Sequence, residues 1–176
     1  MWYDVFKRKK EEIKMMEYQE NALAKSARRW VLALGIIDAI GVVSSLVGLI
    51  TLIVFKMTDY ASLRSLGTAG TELIQVYQAQ SSTLNLIIQG LLVIGQLIGV
   101  ILLFRGASFI KKGLLMDKTP FYLLFGILII SNIFNWVIGL GKFSFISFIS
   151  IVISLLLIGI PFWKVFKLNK AEENRG

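Results

Sequence analysis

The stretch WVLALGIIDAIGVVSSLVGLITLIVF, residues 30–55, holds 26 predominantly apolar residues and a single charged side chain, Asp38. As a helix rising about 1.5 Å per residue, it is long enough to cross a bilayer hydrocarbon core of roughly 30 Å. Further apolar runs of 21 residues each follow at residues 84–104, 121–141 and 143–163, and none of them contains a charged residue. The pattern predicts an all-α integral membrane protein with four spans.

The composition supports this class and excludes several kinds of chemistry. Of 176 residues, 56% are hydrophobic and 17% are charged, an apolar excess that a soluble domain of this size could not bury. The chain has no cysteine and no histidine, which removes disulfides, thiolate chemistry and the usual metal ligands. No phosphate-binding glycine loop or pair of catalytic carboxylates is found. We therefore expect no catalytic residues, no cofactor and no metal.

A very short connection joins the last two predicted spans. It consists of Gly139, Leu140, Gly141 and Lys142, and glycines supply the backbone angles that a tight turn requires. The third and fourth spans should therefore form an antiparallel hairpin. With the first two spans as another hairpin, the fold is predicted to be a four-helix bundle over residues 30–166.

The distribution of Lys and Arg predicts the orientation. Residues 1–29 carry eight, residues 105–120 carry four and residues 164–176 carry four, against two in residues 56–83 and one at Lys142. Positive segments stay on the cytoplasmic side. Both termini, the loop 105–120 and the tail 167–176 are therefore expected in the cytoplasm of a cell-membrane protein, and the loop 56–83 outside.

The first 29 residues contain no Gly or Pro and are predicted to form a cytoplasmic amphipathic helix. The net charge of +8 lies in short segments beside apolar runs, so anionic lipids are the expected partner and nucleic acid is not. The alternative is a helix that packs on its own loop or simply extends the first span into water. The candidate lipid-contacting residues are Trp2, Phe6, Lys7, Arg8, Lys9 and Lys10.

The outer loop is expected to contain a short helix beginning near Thr71 that could continue into the second span. Leu73, Val76 and Tyr77 share one face of it. The helix would be either a lid or docking surface, or a surface helix tied to the bundle.

Each predicted span carries one stripe of small or polar residues, and such residues should turn inward and satisfy one another. The stripes comprise Gly35, Asp38, Gly41, Ser45 and Gly48; Asn85, Gln89 and Gln96; Ser131, Asn132 and Asn135; and Ser147, Ser150 and Ser154. In addition, Gly95 and Gly99 form a small-residue pair on an adjoining face of the second span. Counting residues from the span ends makes Gln96 the nearest amide partner for Asp38.

Two interpretations of this polar interior stay open. In one, Asp38, Gln89, Gln96, Asn132 and Asn135 line a hydrated path or binding cavity, because ionisable residues inside a membrane are costly and usually functional. In the other, these groups only make hydrogen bonds between helices.

The sequence therefore supports three functional hypotheses. The first is a non-enzymatic accessory, assembly or immunity-type protein that acts through a membrane protein partner or a homo-oligomer. The alternative is an oligomeric transporter or channel with a polar path through Asp38. The third is a lipid-handling or membrane-shaping protein that depends on residues 2–20.

Overall fold

The computed structural model describes residues 2–57, 61–65, 67–138 and 145–174, and all regular secondary structure in them is helical. Within them lie five helices of several turns and the single turn α2. The elements are α1 (Trp2–Met57), α2 (Ala61–Arg64), α3 (Gly67–Gln80), α4 (Thr83–Lys111), α5 (Thr119–Ile138) and α6 (Phe145–Glu173). The predicted turn at Gly139–Lys142 lies outside the described residues.

Three helices are long and apolar enough to cross a membrane, counted over the described residues. They are Ala22–Met57 within α1, Thr83–Lys111, and Ser147–Glu173 within α6. The apolar stretch Thr119–Phe134 of α5 is shorter, so the fourth predicted span stays a prediction. Large apolar side chains such as Ile40 (63% exposed) and Leu91 (63% exposed) cover much of these helices. Soluble monomers rarely expose such continuous apolar surface.

The predicted amino-terminal arm and the first predicted span form one uninterrupted helix, α1. No Gly or Pro in residues 1–29 ends the helix before Trp30. The arm is therefore helical and continuous with the first predicted span, and its contact with lipid stays a prediction. For the candidate lipid-contacting residues, Trp2, Phe6, Lys7, Arg8, Lys9 and Lys10, the structure describes the helical backbone only.

Four long helices pack side by side. The most extensive contact is between α1 and α4; α1 also packs on α6, α4 on α5, and α5 on α6. A small cluster of Val42, Val93 and Val100 lies in the α1–α4 contact. The glycines of α4 bring α5 close: a Cβ at Gly99 would lie 2.9 Å from Leu124 Cδ2, and one at Gly95 would lie 3.1 Å from Ile127 Cδ1.

The main core lies at one end of these helices, here called the basic end because Arg28, Arg105, Lys118 and Lys164 lie there. The opposite end is the far end. All four long helices and the α4–α5 connection contribute side chains to this core. Its buried members are Ala27, Val31, Leu34, Leu103, Ala107, Ile110, Met116, Phe121, Leu124, Ile158, Val165 and Leu168.

Helices α4 and α6 continue past the predicted ends of their spans. Residues 105–111, assigned to the loop, belong to α4, and residues 167–173, assigned to the tail, belong to α6. The apolar runs end at Arg105 and Lys164, but Ala107, Ile110 and Leu168 remain buried on the opposite face. One packed face is sufficient to prolong a helix beyond an apolar run.

Side-chain hydrogen bonds hold the α4–α5 connection to α6 and define where α5 begins. Asn169 Nδ2 of α6 donates to the Met116 carbonyl oxygen at 2.9 Å. Asp117 then starts α5, because its carboxylate accepts the Thr119 backbone N–H at 3.2 Å and the Thr119 hydroxyl at 2.6 Å. These bonds favour the ionised carboxylate and lower the pKa of Asp117 below its ordinary value.

The outer helix α3 is docked at the far end. Tyr77 stacks on Phe55 of α1 with ring centroids 4.5 Å apart, and Lys56 Nζ donates to Thr83 Oγ1 at 2.8 Å. The helix begins at Gly67, before the predicted Thr71, and it ends at Gln80 without continuing into α4. The arrangement is that of a surface helix tied to its neighbours.

A methyl group at Gly106 is expected to destabilise the fold by about 1–3 kcal/mol, because a Cβ there would overlap the Met116 side chain. Met116 is 1% exposed and cannot leave without opening the core. The measurement is thermal unfolding in mild detergent of Gly106→Ala against Gly90→Ala. No atom lies within 4 Å of a Cβ at Gly90, so that control should gain up to about 1 kcal/mol of helix propensity.

The Gly106→Ala/Met116→Ala double variant completes this test. Removing the Met116 side chain relieves the overlap, so the double variant should lose less stability than the two single losses combined. Additive losses, or a Gly106→Ala protein as stable as Gly90→Ala, would contradict the described contact.

Protonation of Asp117 should weaken the start of α5. Because its pKa is lowered in the folded state, its contribution to stability is present above the unfolded pKa of about 3.9 and is lost as the pH falls through the folded pKa. Unfolding midpoints of the natural protein and Asp117→Asn, measured from neutral pH to below about pH 4, should therefore converge at the acid end. A difference that does not change with pH would exclude this contribution.

Candidate functional site

Two cavities lie between the packed helices. The Asp38 cavity has a volume of about 220 Å³. Its lining includes Asp38 from α1, Gln96 from α4, Leu124 from α5 and Ser154 from α6. It therefore has a wall from every one of the four long helices. It adjoins the core of the basic end, since Leu34, Leu124 and Ile158 belong to both.

The Gln89 cavity, of about 210 Å³, lies closer to the far end. Its polar lining consists of Ser45 from α1, Gln89 and Gln96 from α4, and Ser131 from α5. Gln96 is a member of both linings. The Gln96 side chain therefore borders both cavities.

Two buried oxygens at these cavities have no hydrogen-bond donor among the described residues. They are Asp38 Oδ2 and Gln96 Oε1, and both are shielded from solvent although their residues are only partly buried. A buried acceptor without a donor costs roughly 1–3 kcal/mol, and more for a charged group. Both oxygens belong to side chains that line one cavity, the Asp38 cavity.

The walls of the Asp38 cavity are otherwise apolar. Asp38 is the one ionisable side chain among the described residues that line either cavity. The α5 wall, for example, consists of Leu124, Ile127 and Leu128. The site therefore combines a single carboxylate, one amide and one hydroxyl with aliphatic surface.

Other predicted site residues lie elsewhere. Asn132 Nδ2 donates to the Leu128 carbonyl oxygen of its own helix at 2.7 Å, and Asn132 lines neither of these cavities. The side chain of Asn135 lies outside the described residues. Gln89 lines its own cavity and does not border that of Asp38.

Asn85 is part of a helix start and not of the inner polar stripe. Its backbone N–H donates to Ser82 Oγ at 3.3 Å, and its Nδ2 donates to the Gln80 carbonyl oxygen. The buried amide thus closes the turn between α3 and α4. A Ser two residues after the preceding helix, followed three residues later by Asn, is a capping pattern from which this role could have been inferred.

A smaller cavity of about 180 Å³ at the basic end was not anticipated from the sequence. It lies between α4 and the α4–α5 connection, and Arg105, Phe109 and Asp117 border it. The Arg105 guanidinium carbon lies 5.3 Å from the Phe109 ring centroid. Arg105 is exposed here and does not line the Asp38 cavity.

The basic end also has pairs of lysine and aromatic side chains. The Lys118 ammonium lies 5.0 Å from the Phe166 ring centroid, and that of Lys167 lies 5.4 Å from the Trp163 centroid. Aromatic and basic side chains concentrate together at membrane interfaces. Over the described residues, no group of three His, Cys, Asp or Glu side chains could hold a metal ion.

Comparison with known proteins found no match: no family model, no curated protein and no solved structure matches the chain.

Proposed function

We propose that this chain is a non-enzymatic multi-pass protein of the cell membrane that acts through another membrane component. In this proposal α1, α4, α5 and α6 form a membrane-inserted four-helix bundle made of two antiparallel hairpins. The three helices long enough to cross a membrane support it. The basic end lies in the cytoplasm, because sixteen Lys and Arg residues lie in segments on that side and three on the other.

The observation that carries the proposal is an unused small-residue surface on α1, here called the α1 stripe: Ser44, Gly48 and Thr51. All three residues are exposed and share one helix face. The hydroxyls of Ser44 and Thr51 donate to their own helix, to Ile40 and Val47 carbonyl oxygens at 3.1 and 2.8 Å. The α1 stripe therefore has no bulky side chain, and both of its hydroxyl hydrogens are used in hydrogen bonds within α1.

The glycines of α4 show what such a surface does when it is used. Gly95 and Gly99 allow α5 to approach closely, whereas a Cβ at Gly48 would meet no atom within 4 Å. Glycine inside a helix costs about 1 kcal/mol relative to alanine. Contact with lipid does not require glycine at this position, because a larger apolar side chain would make the same contact. A further transmembrane helix could pack closely over Gly48, as α5 packs over Gly99.

The partner is a helix of another membrane protein or of a second copy of this chain. An accessory subunit, an assembly factor and an immunity-type protector against a membrane-active toxin all require such an interface. Anionic lipids at the cytoplasmic face are a further proposed partner, supported by the lysine and aromatic pairs of the basic end.

A second candidate function is that of an oligomeric transporter or channel. It is favoured by the two cavities that Gln96 borders, because polar side chains from all four long helices, Asp38 and Ser45 among them, line one or the other. Four helices enclose little volume, so conduction through this path would require association of several copies.

Filling the α1 stripe should weaken the proposed complex without unfolding the protein. Gly48→Leu adds a side chain where the chain itself has space and replaces a helical glycine, so its unfolding temperature should not fall. Overpacking of about 1–3 kcal/mol at the interface should weaken association about tenfold. The measurement is co-purification from native membranes in mild detergent, with light scattering for self-association.

The matched control is Gly126→Leu on α5, where a Cβ also meets no atom within 4 Å. It should leave the complex intact. A natural protein that purifies as a lone monomer, or equal losses in the two variants, would count against the proposed interface.

If the second candidate function holds, neutralising Asp38 should change ion flux. Liposomes containing the natural protein or Asp38→Asn would be assayed for proton flux with a pH-sensitive dye and for potassium flux, with Gln89→Ala as a variant confined to the Gln89 cavity. The expected result is a loss in Asp38→Asn of about tenfold or more. Identical flux in both proteins at every pH would remove Asp38 from any transport mechanism.

A further inference from the structure

We propose that the Asp38 cavity binds a small lipophilic ammonium ion, that is, a protonated amine with a compact apolar body. The proposal deepens the second candidate function, on whose site it rests, but it requires only binding and neither flux nor a partner protein. It starts from the two buried acceptors, Asp38 Oδ2 and Gln96 Oε1, which lack donors among the described residues and belong to side chains that line the same cavity.

The polar part of the site matches an ammonium group. An ammonium carries the positive charge that a buried carboxylate needs and several N–H donors, so it can donate to both Asp38 and Gln96. No cationic side chain among the described lining residues competes for this place: α4 contributes Gln96, α6 contributes Ser154, and α5 contributes aliphatic side chains only. Arg105 is directed to the Phe109 ring instead.

The same lining is a poor site for a metal ion. Hard divalent cations require about six oxygen ligands at short distance. The polar side chains of the described lining are Asp38, Gln96 and Ser154, one from each of three helices. A cation that brings its own apolar surface is suited to this wall, and a bare ion is not.

The volume sets the size of the apolar body. The Asp38 cavity measures about 220 Å³, compared with about 150 Å³ for an engineered apolar cavity that binds benzene. A single six-membered ring with an aminomethyl group therefore fits, with the ring against Leu34, Leu124 and Leu157 and the nitrogen toward Asp38.

The experiment compares two probes of nearly equal shape, benzylammonium and neutral benzyl alcohol. Binding to the full chain in nanodiscs of zwitterionic lipid is measured by calorimetry near neutral pH. The natural protein should bind benzylammonium at least about tenfold more tightly than benzyl alcohol, because only the ammonium adds an opposite charge to its hydrogen bond with the Asp38 carboxylate. In Asp38→Asn the preference should vanish, whereas Ser131→Ala, confined to the Gln89 cavity, should retain it.

Ser154→Phe provides an independent variant that keeps Asp38 and fills its cavity from α6. It should abolish saturable binding of both probes, and this test does not depend on whether Asp38→Asn folds. Equal affinity for the two probes in the natural protein, a preserved preference in Asp38→Asn, or uptake by the lipid alone would overturn the proposal. Binding without flux would leave this site in place and remove the second candidate function.

Discussion

Close packing of α1 against α4 is the contact on which the other helices depend. Val42, Val93 and Val100 fill the middle of this contact, and Gly35 lies against the Phe104 ring. Because α5 then approaches α4 through Gly99 and α6 packs on α1, both remaining helices are positioned by the α1–α4 pair. The two cavities lie in the space that α5 and α6 leave beside it. The site is therefore a product of how four helices are spaced and not of any local motif.

The helices themselves could be predicted from the sequence, since apolar runs of 21 residues or more have few alternatives to helix in lipid. Their ends could not. Arg105 and Lys164 end the apolar runs, but Ala107 and Leu168 continue to bury one face of each helix. A hydropathy average is taken over all faces of a helix, whereas a single buried face is enough to prolong the helix. The same averaging concealed Asn169, whose amide holds the α4–α5 connection to α6.

The site was predictable in part. Counting residues from the span ends placed Asp38 beside Gln96, and both residues line one cavity. The sequence does not indicate how each polar group is satisfied. Asn132 donates to its own helix, and so do the hydroxyls of the α1 stripe; Asp38 Oδ2 and Gln96 Oε1 have no such donor among the described residues. A helix offers carbonyl oxygens to side-chain donors but no free N–H to side-chain acceptors. An amide or hydroxyl donor can therefore be satisfied locally, whereas a carboxylate in mid-helix must find its donor elsewhere.

The unbroken course of α1 gives the molecule a mechanical property. Its 56 residues correspond to a rod of about 84 Å, of which a bilayer core of roughly 30 Å covers only part. A stiff rod that pivots near Trp30 acts as a lever. A tilt of about 10° in the membrane half displaces the tip of a 28-residue arm by roughly 7 Å. In the proposed membrane-inserted arrangement, a change of packing that tilts α1 would therefore be magnified at the tip of the arm.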